Sequence, residues 1–222
     1  TSRGLGDVYK RQAQVDVCDE GALEACIARL FEEWGDLDVI INNVGISHFS
    51  PLTETSVAEF DRILATNLRP VFITSRALAR HRTAHPRANP YGRIINISSV
   101  SGLKGTAQLA TYCMTKFGII GLTKTLALEL QSEGLPIYCN VVCPTKVRTP
   151  MCETESYVDF VNSTMGKSFT SWQEMFEDEK NPGGLKFLNP EDVTDMVLWL
   201  AESEAATKFN GREIVVDRGA ML

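Results

Sequence analysis

Five short apolar runs alternate along this chain with longer segments of helical spacing, and this alternation is the strongest constraint on its fold. Strands that alternate with helices form a parallel sheet, because each connection must cross back over the sheet. The pattern therefore predicts an α/β fold, a doubly wound parallel sheet with helices on both faces. The predicted strands are residues 13–17, 37–43, 93–98, 136–142 and 212–216.

Apolar residues recur at helical spacing between the predicted strands. Gly35 is placed to end the first helix, and Pro190 is placed to open the last one. No repeat or linker divides residues 13–222, which predicts a single domain. The predicted helices cover residues 22–34, 55 or 56 to about 84, about 111–131, and 191–202.

Composition narrows the classes of function. The chain has 222 residues, of which 44% are hydrophobic, and a formal net charge of −6. An acidic chain without a basic run is not expected to bind nucleic acid or an anionic membrane. The sequence shows no apolar stretch of about 18 residues and no signal-peptide pattern, so the expected compartment is the cytoplasm.

Metal sites and disulfides are not expected. The six cysteines form no Cys-x-x-Cys pair, and Cys26, Cys139 and Cys143 fall in apolar patterns that favour buried, reduced thiols. His81 and His85 are four residues apart and could clamp a metal ion. They lie among arginines at a predicted helix end, however, and no carboxylate completes a site.

A tyrosine and a lysine on the second long helix suggest proton-transfer chemistry. Tyr112 and Lys116 are four residues apart and share one helix face. An ammonium about 4 Å from a phenol contributes about 4 kcal/mol at an effective dielectric of 20. We therefore expect Lys116 to lower the pKa of Tyr112, so that the phenol serves as a general acid/base near pH 7. Ser99 ends a predicted buried strand and points to the crevice where parallel sheets bind ligands.

These residues give the chain a resemblance to the classical short-chain dehydrogenases/reductases. A strand that ends in Asn-x-Ser-Ser, closing at Ser99, is followed by Tyr-x-x-x-Lys. The resemblance covers nearly all of the chain beyond its first twelve residues. It implies a Rossmann-like fold and NAD(P)-dependent chemistry at a CH–OH group, in which Tyr112 moves the hydroxyl proton and Ser99 holds the substrate oxygen. Lys116 would also bond the ribose, and Asn67 would anchor a water in the proton relay to Lys116.

The same resemblance implies three sets of cofactor contacts. Asp16 and Val17 would hold the adenine ring, although Asp16 also fits an ordinary helix N-cap region. A glycine after the second strand lets the backbone approach the ribose. The segment after the fourth strand would clamp the nicotinamide carboxamide. The residues implied to contact the ribose are Asn43, Val44 and Gly45. Those implied to contact the carboxamide are Pro144, Val147 and Thr149.

The first twelve residues do not fit the rest of the chain. A Rossmann sheet opens with a strand, a glycine-rich turn, a helix and a second strand, and Gly4 and Gly6 lack both a preceding strand and a third glycine. We interpret residues 1–12 as an adapter-like leader and expect that the first two strands and the pyrophosphate loop are missing. The residue that distinguishes NAD from NADP would lie there, and the chain as printed is expected to be inactive.

The substrate is expected to be an apolar alcohol or ketone. Residues 151–188 are rich in aromatic side chains and methionine, which fits either a mobile lid over such a substrate or the packing of the segment itself. Lys146 and Arg148 could bind an anionic substrate or simply be solvated. The proline–threonine pair at Pro144 resembles the carveol-dehydrogenase-like branch coupled to mycofactocin, whose members hold NAD tightly. This favours NAD over NADP.

Two other functions fit parts of the sequence. A 3-oxoacyl-carrier-protein reductase would favour NADPH and a basic surface for its acidic carrier. A non-catalytic Rossmann-like module would fit the chain as printed. The resemblance also implies a homo-tetramer built through the two long helices.

Overall fold

A computed structural model describes residues 12–86 and 91–221. Within them lies one parallel sheet of four strands in the order β1-β2-β3-β4, so that each strand pairs with the next one along the chain. The strands are β1 (Val39–Asn42), β2 (Gly92–Ile97), β3 (Ile137–Pro144) and β4 (Glu213–Val216). The helices are α1 (Glu20–Trp34), α2 (Val57–Asn67), α3 (Arg69–Ala84), α4 (Ala110–Ser132), α5 (Glu155–Met165), α6 (Trp172–Glu177) and α7 (Pro190–Glu202).

The two faces of the sheet bury alternate residues of each strand. On β2, Ile94 packs with Leu78 of α3 and Leu126 of α4, whereas its neighbour Ile95 packs with Leu200 of α7. Successive side chains of a strand point to opposite faces, so helices cover both sides of the sheet. The predicted doubly wound α/β fold is confirmed.

The predicted first strand at residues 13–17 is wrong. The segment pairs with no strand among the described residues, and a turn follows it. The Asp16 carboxylate accepts the amide of Cys18 at 2.9 Å, and the Asp19 carboxylate caps α1 by accepting the amide of Ala22 at 3.0 Å. An apolar run alone does not make a strand, because its backbone groups need a neighbouring strand to pair with.

The predicted long helix over residues 55–84 is broken in two. α2 ends at Asn67 and α3 begins at Arg69, with Leu68 between them. Pro70 lies in the first turn of α3, where its missing N–H and its ring would interrupt a continuous helix. Asn67 consequently lies at a helix end, not in the middle of a helix as predicted.

The other elements agree with the predicted ones to within two residues at each end. Gly35 ends α1 as predicted, with a φ of 76° that allows its N–H to bond the carbonyl of Phe31. Gly4, Gly6 and nearly all of the segment interpreted as a leader lie outside the described residues.

Three sequence expectations concern membranes, metals and cysteines. In the described part of the chain, no helix is both long and apolar enough to cross a membrane. The described residues also contain no group of three or more His, Cys, Asp or Glu side chains that could hold a metal ion, and the His81 ring stacks on Phe31 instead. All six cysteines are unpaired; Cys139 and Cys143 are buried as predicted, whereas Cys26 is only half-buried.

Candidate active site

A cavity of about 780 Å³ lies at the carboxyl ends of the first three strands. Parallel sheets bind ligands at this edge. Asp16, Val17 and the exposed Val44 do not line the cavity, and Asn67 is fully buried outside it. The other predicted site residues all line it, namely Asn43, Gly45, Ser99, Tyr112, Lys116, Pro144, Val147 and Thr149.

Ser99 is held at the end of β2 by a short 3₁₀ turn over Val100–Gly102. Its hydroxyl accepts the amide of Ser101 at 3.1 Å. The same hydroxyl lies close enough to the phenol of Tyr112, which comes from the first turns of α4, to influence the pKa of that phenol. The structure therefore joins the two residues that the sequence places thirteen positions apart.

The 3₁₀ turn packs directly on α4. The Ser98 hydroxyl donates to the carbonyl of Lys116 at 2.8 Å. A Cβ on Gly102 would lie 2.7 Å from the same carbonyl oxygen, a distance that real Cβ atoms do not adopt, so only glycine permits this approach. This contact sets how close the serine loop lies to the helix that carries the tyrosine and the lysine.

Lys116 is 4% exposed, and its ammonium donates to the carbonyl of Ile97 at 2.9 Å. The ammonium lies 5.4 Å from the ring centroid of Tyr112. Burial lowers the pKa of Lys116 from 10.5 to about 8. An ammonium has three N–H donors. Two therefore remain for the paired hydroxyls of a ribose, which fits the role that the resemblance implies.

The expectation that Lys116 lowers the pKa of Tyr112 is wrong. Burial raises the pKa of this phenol to about 12, and the Ser99 hydroxyl only partly offsets the rise. The Lys116 ammonium is not among the groups that shift this pKa. The site therefore keeps the phenol protonated at neutral pH, and this is the form that donates a proton.

Asn67 clamps the loop that follows β1. Its Oδ1 accepts the amide of Ile46, and its Nδ2 donates to the carbonyl of the same residue, both at 2.9 Å. Nδ2 also donates to the hydroxyl of Thr115 at 3.3 Å. The loop is thereby held against the lysine, because a Cβ on Gly45 would lie 3.5 Å from Lys116 Nζ. Asn67 is a positioning residue here, and its part in a water relay stays a prediction.

A line of hydrogen-bonded side chains behind the cavity was not predicted from the sequence. The Asn42 amide donates to Asn96 Oδ1, and Asn96 Nδ2 donates to Thr123 Oγ1, both at 2.8 Å. The Thr123 hydroxyl donates in turn to the carbonyl of Ile119 at 2.7 Å. The line joins β1 and β2 to α4 and so positions the helix of Tyr112. Its signal in the sequence is an asparagine inside each of two apolar strands, where a buried amide needs a partner.

The segment after β3 presents its backbone to the cavity. Val147 forms a parallel bridge with Leu188, in which the Arg148 amide donates to Leu188 O at 2.9 Å and the Leu188 amide donates to Lys146 O at 2.8 Å. These bonded groups belong to the neighbours of Val147, so its own N–H and C=O point away from Leu188. The Val147 carbonyl accepts the hydroxyl of Thr149 at 3.3 Å. Burial raises the pKa of the Cys152 thiol, and the Val147 N–H beside it partly offsets the rise. The expected contact of this segment with a carboxamide stays a prediction.

Residues 151–188 divide into a part that lines the cavity and a part that supports it. Tyr157 and Phe160 line the cavity, and Phe160 stacks on Phe49 with ring centroids 4.8 Å apart. Trp172 packs against the same apolar cluster without lining the cavity. Packing within the segment accounts for Trp172, whereas Phe160 is placed to contact a substrate.

Residues 8–157 match the model of a protein family described as short chain dehydrogenase. A 3-oxoacyl-[acyl-carrier-protein] reductase of Rickettsia felis is 30% identical to this chain over 220 residues, which are 99% of this chain and 82% of the relative. A 2-(R)-hydroxypropyl-CoM dehydrogenase of Xanthobacter autotrophicus is 32% identical over 215 residues, which are 93% of this chain and 76% of the relative.

Solved structures show the same fold. The aldohexose dehydrogenase of Thermoplasma acidophilum, in ligand-free form, superposes with a TM-score of 0.79 at 26% identity, covering 97% of this chain and 80% of that one. A 4-hydroxyisoleucine dehydrogenase complexed with NADH superposes with a TM-score of 0.73 at 26% identity, covering 92% of this chain and 78% of that one. These similarities confirm the Rossmann-like α/β fold.

Proposed function

Because the chain belongs to the short-chain dehydrogenase family, we propose that it interconverts an apolar secondary alcohol and its ketone with a nicotinamide cofactor. The observation that carries this proposal is that Ser99, Tyr112 and Lys116 line one cavity, with the serine hydroxyl close to the phenol and the ammonium beside its ring. A hydroxyl that holds an oxygen, a proton donor and a cation are the groups that this chemistry needs.

Each of the three side chains has one task in the proposed reaction. In ketone reduction, the Tyr112 phenol donates its proton to the carbonyl oxygen, and the Ser99 hydroxyl donates a hydrogen bond to the same oxygen. Lys116 holds the ribose hydroxyls and keeps a positive charge beside the phenol. The bound cofactor supplies the hydride chemistry. In alcohol oxidation, the phenolate accepts the hydroxyl proton, so the same groups act in reverse.

We propose NAD as the cofactor in preference to NADP. The 4-hydroxyisoleucine dehydrogenase structure contains NADH, and a Mycobacterium tuberculosis protein named an uncharacterized NAD-dependent oxidoreductase is 31% identical over 94% of this chain. The similarity to the Rickettsia protein favours a second candidate, a 3-oxoacyl-carrier-protein reductase that would prefer NADPH. Membership of the carveol-dehydrogenase-like branch stays a prediction.

Initial rates with a substrate panel test the proposal. We expect linear 2-alkanols to be oxidised with NAD⁺ faster than with NADP⁺, and an acetoacetyl-carrier protein to be reduced more slowly than 2-alkanones. The described residues contain no Gly-x-Gly-x-x-Gly run. Each assay is therefore run on the 222-residue chain and on a fusion. In the fusion, residues 1–12 are replaced by the segment of the Rickettsia relative that should form the opening strand, glycine-rich turn, helix and second strand. Reduction of the acyl-carrier substrate alone, with NADPH, would establish the second candidate instead.

We propose that residues 151–188 act as a lid over the apolar part of the substrate. Phe160→Ala is expected to raise KM about tenfold for bulky alcohols and less than about threefold for 2-propanol, because loss of a hydrophobic contact costs about 1–3 kcal/mol. Trp172→Ala is the matched control, since it removes an aromatic ring that supports the cluster without lining the cavity. An equal change for both alcohol sizes would assign Phe160 to packing alone.

We propose that the protein assembles as a homo-tetramer through α3 and α4. Phe72, Phe117 and Leu128 on these helices are 46%, 47% and 69% exposed, an apolar surface that favours burial between copies. Sedimentation velocity at micromolar concentration is expected to show a species heavier than the 24.6 kDa monomer. Phe117→Asp should shift it towards monomer, and Trp34→Asp, at an exposed site on α1, should not. A monomeric wild-type protein would contradict this assembly.

A further inference from the structure

Two lysines besides Lys116 line the cavity without a counter-charge. Lys104 follows the 3₁₀ turn and is exposed at the rim, whereas Lys146 follows β3 and is half-buried. Neither forms an ion pair with any residue in the described ranges 12–86 and 91–221. By comparison, Lys124 on the outer surface pairs with Glu213 at 2.9 Å. Lys104 and Lys146 are thus unpaired cations in the cavity where a ligand would bind.

The surroundings of Lys146 disfavour its charge. Burial and the nearby charge of Lys104 both lower the pKa of Lys146. A partly buried cation beside a like charge is costly unless an anion compensates it. An anionic group bound between the two lysines would offset the desolvation and the repulsion together.

Arg148, the other cation of this segment, is already engaged. Its guanidinium pairs with Glu179 at 2.6 Å and lies 4.9 Å from the ring centroid of Phe176. It therefore fastens the chain around residues 176–179 to the segment after β3. Of the two cations that the sequence offers as anion ligands, only Lys146 lines the cavity.

Lys146 belongs to the substrate side of the cavity. Its charge interacts with the thiol of Cys152, which lines the cavity and also interacts with Tyr112 and Tyr157. These residues surround the end of the cavity that residues 151–188 close.

We propose that Lys146, together with Lys104 at the rim, binds a carboxylate at the end of the substrate that is remote from the reacting carbon. This inference rests on the proposed function, in which Ser99 and Tyr112 hold the reacting oxygen. The apolar part of the substrate would lie between these two ends, against Phe160. The substrate class is then a secondary alcohol on an apolar chain that ends in a carboxylate, and the carboxylate takes no part in hydride transfer.

Matched acids and esters test this proposal through the ratio of their kcat/KM values. The substrates are (ω−1)-hydroxy acids from 4-hydroxypentanoate to 9-hydroxydecanoate and the methyl esters of the same chains. Lys146→Met is expected to lower the acid-to-ester ratio about 10–100-fold, the range for loss of a hydrogen bond to a charged group. Lys146→Arg should keep the ratio within about threefold of wild type, and Lys124→Met, outside the cavity, should not change it.

Calorimetric titration supplies a readout that needs no turnover. The probes are 9-oxodecanoate, its methyl ester and NADH, each titrated into the 222-residue chain, into the fusion that replaces residues 1–12, and into the Lys146→Met variant of each. We expect the variant to lose about 10–100-fold in affinity for the acid relative to the ester, and less than about threefold for NADH. A loss of NADH affinity as large as the loss for the acid would assign the lysines to the cofactor phosphates and overturn the proposal.

The two proposals fail in different ways. Preferential binding of the acid without hydride transfer to any alcohol would overturn the proposed function and leave the carboxylate site standing. Hydride transfer with an acid-to-ester ratio that Lys146→Met does not change would overturn the carboxylate site and leave the proposed function standing.

Discussion

Tyr112→Phe is expected to lower kcat for both alcohol oxidation and ketone reduction by about 10²–10⁴-fold, the range that general acid/base catalysis contributes. The phenol lies in the cavity close to Ser99 and adjacent to Lys116. Removing its oxygen leaves the ring in place, so NADH affinity should change by no more than a few-fold. Initial rates and fluorescence titration with NADH measure the two effects separately.

Tyr157→Phe is the matched control for this prediction. Tyr157 also lines the cavity and is buried, but its hydroxyl interacts with the Cys152 thiol and not with Ser99. Loss of the Tyr157 hydroxyl should lower kcat by less than about tenfold. A Tyr112→Phe enzyme that stays within tenfold of wild type, or a Tyr157→Phe enzyme that loses as much, would remove Tyr112 from its assigned role.

The positions of Ser99, Tyr112 and Lys116 at one cavity could be predicted from the sequence because each depends on a local pattern. A buried strand that ends in hydroxyl side chains places Ser99 at the sheet edge, and helical spacing puts Tyr112 and Lys116 on one face. No local pattern determines whether residues 13–17 form a strand, because a strand needs a neighbouring strand to pair with and its own residues do not specify that neighbour. The break between α2 and α3 was visible in the sequence as Pro70, a residue that a continuous helix would not tolerate.

Electrostatic quantities could not be predicted from spacing alone. The pKa of Tyr112 depends on whether burial or the nearby ammonium has the larger effect, and only the packing of the site shows that burial does. The same holds for Lys146 and Arg148, which look equivalent in the sequence. Arg148 finds a carboxylate in Glu179, whereas Lys146 remains unpaired at the cavity wall.

Lys116→Met is expected to stabilise the protein at neutral pH while it removes activity. Burial lowers the pKa of Lys116 from 10.5 to about 8, so the unfolded chain binds more protons than the folded one between these two pH values. The folded state therefore carries a penalty that is fully present below about pH 8 and disappears as the pH rises to about 10.5. A shift of this size corresponds to about 3 kcal/mol at pH 7.

The measurement is the difference in unfolding free energy between Lys116→Met and the wild type, obtained from urea denaturation at several pH values. The difference in unfolding free energy should fall by about 2 kcal/mol between pH 7 and pH 9.5. The wild type becomes more stable by that amount because its buried lysine is deprotonated over this range. Tyr112 does not disturb this window, since its folded pKa of about 12 lies above it and the difference between the two proteins cancels its contribution.

Lys124→Met provides the comparison, because Lys124 is 47% exposed in its side chain and already paired with Glu213. Its difference from the wild type should stay flat over the same pH range. If the Lys116→Met difference is equally flat, the ammonium is not desolvated in the folded protein. A sloping difference together with lost turnover would show that the fold tolerates a buried cation at a cost of about 3 kcal/mol because the reaction requires its charge beside the phenol and the ribose.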